Sequence, residues 1–347
     1  MGISNLELLR DLLCHYPSRY PTMTKPNAYT YLSQSDIALQ IERLVQAIED
    51  SDSLAYRIKQ ARTGYDRVEE TKLSRYFPHI RQMVDLFEGG IEGGIEYSYS
   101  EHLQAFREAC QVIGLERNPD NPDGPVCLNE EGTAWLDHHR SMNVLVARIR
   151  QLAGERWYLR RKDDLRHQAR KQEIRACDYA DTLCERYSRI TIVRVNLYYR
   201  SAAQARLRVE HVFDDLEQLI AEHRRNSLFD HLIGHIYSVE QGDRNDGRGY
   251  HIHAAYFFNG NEVRGDVYKA QQIGELWERI TRGQGDFDSC NHDKEKYGDG
   301  RGIGMILRSD RNIRSNVHYA MRYLVKDAQP LRMKPLRGKC LRKGWLR

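Results

Sequence analysis

No uninterrupted apolar stretch in the sequence approaches the ~18–20 residues that a membrane span requires. The first thirty residues (MGISNLELLRDLLCHYPSRYPTMTKPNAYT) lack the basic start, long apolar core and small-residue cleavage site of a secretory signal. There is no CxxC pair, and the seven cysteines are odd in number and widely scattered. A disulfide framework and a zinc knuckle are therefore disfavoured, and a reducing, cytoplasmic setting is expected. Also missing are a GxxxxGK[ST] phosphate loop, an internal repeat and any low-complexity tract. Membrane, secreted and collagen-like classes are set aside on these absences.

What is present is a polar, globular composition. The 347 residues are 40% apolar and 29% charged, with a mean hydropathy of -0.71, a length that suits two ordinary domains. The net charge is only +4, but its placement is uneven. From Lys326 onward the basic residues are Lys326, Arg332, Lys334, Arg337, Lys339, Arg342, Lys343 and Arg347, against the single acid Asp327. Such a run reads either as a solvated tail or as a phosphate-contacting arm, and nearby chemistry has to choose between them.

Hydrophobic periodicity divides the chain near residues 185–189. Before that point it reads as helical: IALQIERLVQAIED behind a Ser35-Asp36 cap, RYFPHIRQMVDLFEG, His102 to Ile113, and long helix-favouring segments from Thr133 to about Tyr187. GGIEGG and NPDNPDG are the turn-rich breaks. After it, RITIVRVNLYY, HLIGHIYSVEQ and YHIHAAYFFNG alternate like strands, and the last two form a hairpin through DRNDGRG. Helices are expected over SAAQARLRVEHVFDDLEQLIAEHRR, DVYKAQQIGELWERITRG and RNIRSNVHYAMRYLVKDA. A Gly- and Asp-rich loop from Gly283 to Arg301 leads into a last strand, GIGMILR. The expected architecture is α+β. An all-α domain of unassigned role (1–186) precedes an antiparallel sheet with helices in the split βαβ order of ferredoxin/RRM-like folds (187–347).

One group of residues carries chemistry. In a strand, period-two alternation puts His251 and His253 on one face, with Ile252 on the other. Alone, a His-x-His triplet fits a structural pair as well as a chelate. Glu240, at the end of the preceding strand, joins the pair if the hairpin closes, and two imidazoles with one carboxylate suit Mg²⁺ or Mn²⁺. On the final helix, spacings of four and three put Tyr319, Tyr323 and Lys326 on one side. Two tyrosines there fit packing on the sheet, or, beside a metal, nucleophilic attack on a phosphodiester. Lys326 then serves as a phosphate or phenol partner.

His251-Ile252-His253, upstream Glu240 and Tyr319-x-x-x-Tyr323-x-x-Lys326 together resemble the His-hydrophobic-His (HUH) endonucleases, and among them the two-tyrosine rolling-circle replication initiators. VNLYYR stands where the first motif of that family falls. The hairpin stretch, NVHYAMRYLVKD and the basic ending further resemble the inovirus-type initiators of prophages, the YagK/YfjJ-like group, over about residues 187–347. The resemblance implies His251, His253 and Glu240 as ligands of Mg²⁺ or Mn²⁺, and Tyr319, Tyr323 and Lys326 as catalytic. It implies single-stranded or origin DNA as substrate, and host helicase and polymerase as partners.

Single strands bind through stacking and positive grooves, so the expected DNA contacts are Tyr198, Tyr256 and Phe258 on the sheet and Arg322, Lys334, Arg337 and Lys339 beyond it. Three other features bear on the chemistry. His231 and His235 flank the second strand on one face, and His235 is expected in the core or behind the metal ligands. Asp286 and Asp288 form an Asp-x-Asp pair that would suit a primase, and His138-His139 lies in the helical half. The alternative reading of the whole is a non-catalytic, RRM-like nucleic-acid-binding regulator of a mobile element.

Overall fold

The computed structural model describes residues 32–60, 66–88, 94–115, 124–242, 249–325 and 331–344. Lys326, the third expected catalytic residue, lies outside them.

The first helix, α1 (Gln34–Glu49), is capped by Ser33, whose hydroxyl accepts the Asp36 N–H 3.1 Å away. The cap thus falls two residues before the expected one. The hairpin of β1 (Tyr56–Gln60) and β2 (Asp66–Glu70) follows, so the N-terminal part is predominantly helical but not all-α. Ser74–His79, which contains Pro78, forms a 3₁₀ turn, and only Ile80–Asp85 (α2) is α-helical within the helix read there. Next come β3 (Tyr97–Tyr99), α3 (Glu101–Val112), α4 (His138–Ala153) and α5 (Arg156–Arg186).

The C-terminal part contains β4 (Arg189–Tyr199), α6 (Ser201–Gln204), α7 (Val209–Glu222), β5 (Leu232–Gln241) and β6 (Tyr250–Asn259). These are followed by α8 (Asp266–Ile280), β7 (Gly285–Ser289), β8 (Gly304–Leu307), α9 (Arg311–Val325), β9 (Met333–Pro335) and β10 (Leu341–Lys343). Six strands form one antiparallel sheet in the order β10-β5-β6-β4, with β7 and β8 sharing the outer edge of β4. β7 pairs with Val195–Tyr199 and β8 with Arg189–Ile192. In the gap between them the Asn291 side chain imitates a strand, its Oδ1 accepting the Arg194 N–H at 2.8 Å and its Nδ2 donating to the Ile192 carbonyl at 2.9 Å.

Both faces of this sheet are covered. On one, Val193, Val195, Leu197, Ile252, Ala254, Tyr256, Phe258, Tyr237 and Val239 join α7 and α8 in a core continuous with Ile41, Leu44, Phe106 and Leu145 of the N-terminal helices. On the other, Ile190, Ile192, Ile236, Ala255 and Phe257 pack under Tyr179 and Leu183 of α5 and Val317, Met321 and Leu324 of α9. The apolar core is therefore shared across the expected 186/187 boundary rather than divided by it.

The basic ending helps to join the two parts. β9 pairs with β3, and β10 pairs with β5. Arg332 is 7% exposed and binds Glu42 of α1, with Nη2 at 2.7 Å and Nε at 2.8 Å from one carboxylate oxygen. Its Nη1 donates to the Gln241 carbonyl at 2.7 Å. The solvated-tail reading is thus corrected for residues 331–344, which are built into the fold: charge patterning shows that the run is basic but not which of its members finds an internal carboxylate.

Candidate metal centre

β5 and β6 form a hairpin whose register sets Glu240 opposite His251 and Ser238 opposite His253. On the far side of β6, Asn196 of β4 also faces His253. Because side chains at opposed positions share a face, Glu240, His251, His253 and Asn196 converge. Glu240, His251 and His253 are 6%, 7% and 9% exposed, and one donor atom from each lies within 4.8 Å of the others. Among the described residues they form the one group of three such side chains able to hold a metal ion.

The orientation of each ligand is set from behind. The His251 Nδ1 lies 3.2 Å from the Gly249 carbonyl, an acceptor only, which places the proton on Nδ1. The His253 Nδ1 lies 2.6 Å from the Asn196 Oδ1. Asn196 turns its Nδ2 toward the Asp288 carboxylate (3.4 Å) and the Cys290 Sγ (3.5 Å), so its oxygen is the atom that accepts. Both imidazoles thereby present Nε2 lone pairs toward the Glu240 Oε2, at 3.7 Å from His251 and 3.2 Å from His253. The Ser238 hydroxyl donates to the other oxygen of Glu240 at 3.0 Å.

Two imidazole nitrogens and a carboxylate brought together in a buried site suit a cation. Ligands held at roughly 2.1 Å by one ion lie roughly 3.0–3.4 Å apart in octahedral or tetrahedral geometry, which these spacings approach. The residues therefore fit a divalent metal ion, with the hydrogen-bonded backing that metal-bound histidines require. Asn196→Leu should weaken Mn²⁺ binding about 10–100-fold with the fold intact, as read by calorimetric titration. An unchanged affinity would remove Asn196 from the centre.

The other expected site residues are distributed unevenly around this centre. α9 crosses the face that bears the histidines: its Val317, Met321 and Leu324 pack with Ile192, Ala255 and Phe257 of that face. Tyr319 and Tyr323 are 37% and 38% exposed along one side of the helix. Tyr198, half-buried, sets its ring 5.8 Å from that of His251. Tyr256 and Phe258 do not belong to the centre. They alternate onto the opposite face and are completely buried, so no base can stack on them. Arg322, Arg337 and Lys339 are exposed, whereas Lys334 is half-buried and donates to the Gly338 carbonyl at 2.8 Å. Asp286 and Asp288 lie on β7, not in a loop, opposite Tyr198 and Asn196.

His235 is likewise on the face away from the metal centre. It packs edge-on against His223, with ring centroids 4.6 Å apart, and the His223 Nε2 meets the Tyr237 hydroxyl at 2.7 Å. His231 is exposed before β5. Burial, with His235 beside it, pushes His223 down to about 3, and burial pushes His235 down to about 4. Protonation thus favours the unfolded chain. The stability supplied by the neutral pair is complete above about pH 6.5 and falls between pH 6.5 and about 3 by up to roughly 1.4 kcal/mol per pH unit for each histidine. Denaturant titrations should therefore show a steeper acid loss in the native protein than in His223→Phe, provided that variant folds.

No sequence motif assigns a role to Asn196 or Arg194. The signal the sequence does hold is the pair of polar side chains at alternate positions, 194 and 196, within the mainly apolar run from Ile192 to Tyr199. No protein-family model, curated protein or solved structure matches this chain.

Proposed function

We propose that this protein is a metal-dependent, site-specific single-strand DNA endonuclease and strand transferase of the HUH type, initiating rolling-circle replication through a 5′-phosphotyrosine link. The observation that carries the reading is the shared face: the helix bearing Tyr319 and Tyr323 lies on the side of the sheet where Glu240, His251 and His253 converge. The strand order β5-β6-β4-β7 supports it, being the order of a split βαβ layer.

In the proposed reaction a tyrosine hydroxyl gives up its proton and its oxygen attacks phosphorus in line. The P–O3′ bond breaks, and the departing 3′ oxygen takes up a proton. The 5′ side stays esterified to the phenol, which conserves the phosphodiester energy for rejoining without ATP. The free 3′ hydroxyl serves a host polymerase, with a host helicase opening the duplex. Mg²⁺ or Mn²⁺ held by Glu240, His251 and His253 would polarise the non-bridging phosphate oxygens and offset the developing charge. Tyr198 offers a half-exposed ring beside the centre for a base to stack on. The alternative, a non-catalytic RRM-like binder, loses the open aromatic face it would need, because Tyr256 and Phe258 are in the core.

Incubation with Mn²⁺ and an internally labelled random-sequence single-strand library should yield a covalent adduct on a denaturing gel, from which the target sequence is recovered. The adduct should vanish in Tyr319→Phe/Tyr323→Phe and in His251→Ala. Cleavage without an adduct, or no cleavage of any library member, defeats the proposal.

A further inference from the structure

Arg194 stands on β4 opposite Ala255, on the face that carries the metal centre and two residues from Asn196. A charged side chain is seldom buried without a counter-charge. Arg194 is 6% exposed, pairs with no carboxylate among the described residues, and has no hydrogen-bond partner at Nε. Burial opposes its charge, yet the nearby side chains of Cys290, Tyr297, Tyr323 and Tyr198 hold its pKa above the ordinary value, so it is a cation. Its backbone is clamped on both sides, by Asn291 at the N–H and by the Cys290 N–H (3.1 Å) at the carbonyl. The guanidinium carbon lies 4.5 Å from the centroid of the Tyr323 ring.

The run of α9 separates the two tyrosines. Asn316 is bound to the Arg301 carbonyl, just before β8, which pairs with the far end of β4 at Arg189–Ile192. From there the helix proceeds toward Arg194, which it meets at Tyr323. Tyr323 is thus one turn, about 6 Å, farther toward the centre than Tyr319.

We infer that Arg194 is the positioning residue for Tyr323, and that Tyr323 rather than Tyr319 makes the first attack on the phosphodiester. This rests on the nickase reading above and deepens it. A cation held over the face of an aromatic ring attracts the phenolate more strongly than the phenol. A rigid guanidinium already in place therefore favours the charge that forms as the hydroxyl proton leaves, and its plane fixes the ring on one side. The phenol oxygen gains the bond to phosphorus as the 3′ oxygen leaves with a proton. Arg194 exchanges no atoms in this step.

Cleavage after Arg314, Arg322 and Lys326 by trypsin places the two tyrosines on different peptides, residues 315–322 and 323–326. The full-length protein, Mn²⁺ and the strand recovered above are reacted for a single turnover, and the modified peptide is identified by mass spectrometry. The adduct is expected on 323–326. In Arg194→Met its rate of formation should fall about 100-fold, the scale of losing one preorganised charge-stabilising group, and the share on 323–326 should drop. Arg194→Lys should restore part of both. Mn²⁺ affinity, measured in parallel, should stay within about twofold, because Arg194 does not touch the ligands. A first adduct on 315–322 overturns the inference, as do an unchanged rate and peptide ratio in a folded Arg194→Met. If Arg194→Met does not fold, the native peptide map and Arg194→Lys still decide. Absence of any adduct in the native protein overturns the nickase reading itself.

Discussion

Arg332→Ala is expected to lower the unfolding free energy by about 3–5 kcal/mol, seen as a large drop in the denaturant midpoint. The guanidinium is almost fully enclosed, and its three nitrogens serve Glu42 and the Gln241 carbonyl. Removing it leaves the Glu42 carboxylate and a main-chain oxygen in a poorly solvated place, which costs more than the pair itself contributes. The loss should extend to the contacts around it. Arg332 also accepts the Ser100 N–H through its carbonyl at 2.7 Å and donates its own N–H to the Gln241 Oε1 at 3.1 Å. The double variant Arg332→Met/Glu42→Leu should recover most of the stability, since a buried ion pair exchanged for apolar groups of similar volume is often close to neutral. A loss below about 1 kcal/mol in the single variant would mean that solvent reaches this pair.

Gly302→Ala should destabilise the fold by about 3 kcal/mol and reduce adduct formation more than metal binding. A methyl group on Gly302 would stand 2.1 Å from the Asn316 carbonyl oxygen and 2.8 Å from the Val317 nitrogen. Both are backbone atoms in the interior of α9, so no side-chain rotation relieves the clash, and the first turns of the helix have to lift from the sheet. Glu240, His251 and His253 are carried by β5 and β6 and keep their places, while Tyr319 and Tyr323 move with the helix. Thermal denaturation, Mn²⁺ titration and adduct yield, measured on one preparation, separate these effects. Equal loss of metal affinity and adduct would show that the helix and the hairpin do not move independently.

Much of the fold was legible in the sequence. RITIVRVNLYY forms β4 with the bounds read from it, because alternating β-branched and aromatic residues suit only a sheet. The same period put His251 and His253 on one face, and the hairpin brought Glu240 to them. That period also assigns Tyr256 and Phe258 to the opposite face. Their aromatic character suggested base stacking, but position parity decides burial. β7, GDFDS, carried no strand signal: it is short and polar, and pairing with the edge of β4 holds it. Within SAAQARLRVEHVFDDLEQLIAEHRR the helix breaks after Gln204 and resumes at Val209. The Val209 N–H is taken up there by Gln34 Oε1 at 2.8 Å, a partner far away in sequence. Arg332 escaped for the same reason, since Glu42 lies 290 residues away.

Anchorage on both flanks of the tyrosine-bearing helix has a mechanical corollary. Upstream, Arg314 grips Asp181 and Glu185, and His318 meets Asp181 at 2.7 Å. Farther along, Arg332, β9 and β10 are tied to α1, β3 and β5. In the proposed nickase, a strand esterified to Tyr323 would pull on a helix tied through Arg314 and His318 to α5. Under the proposed function the nucleic acid would then travel to a phenol carried on a helix packed against the sheet.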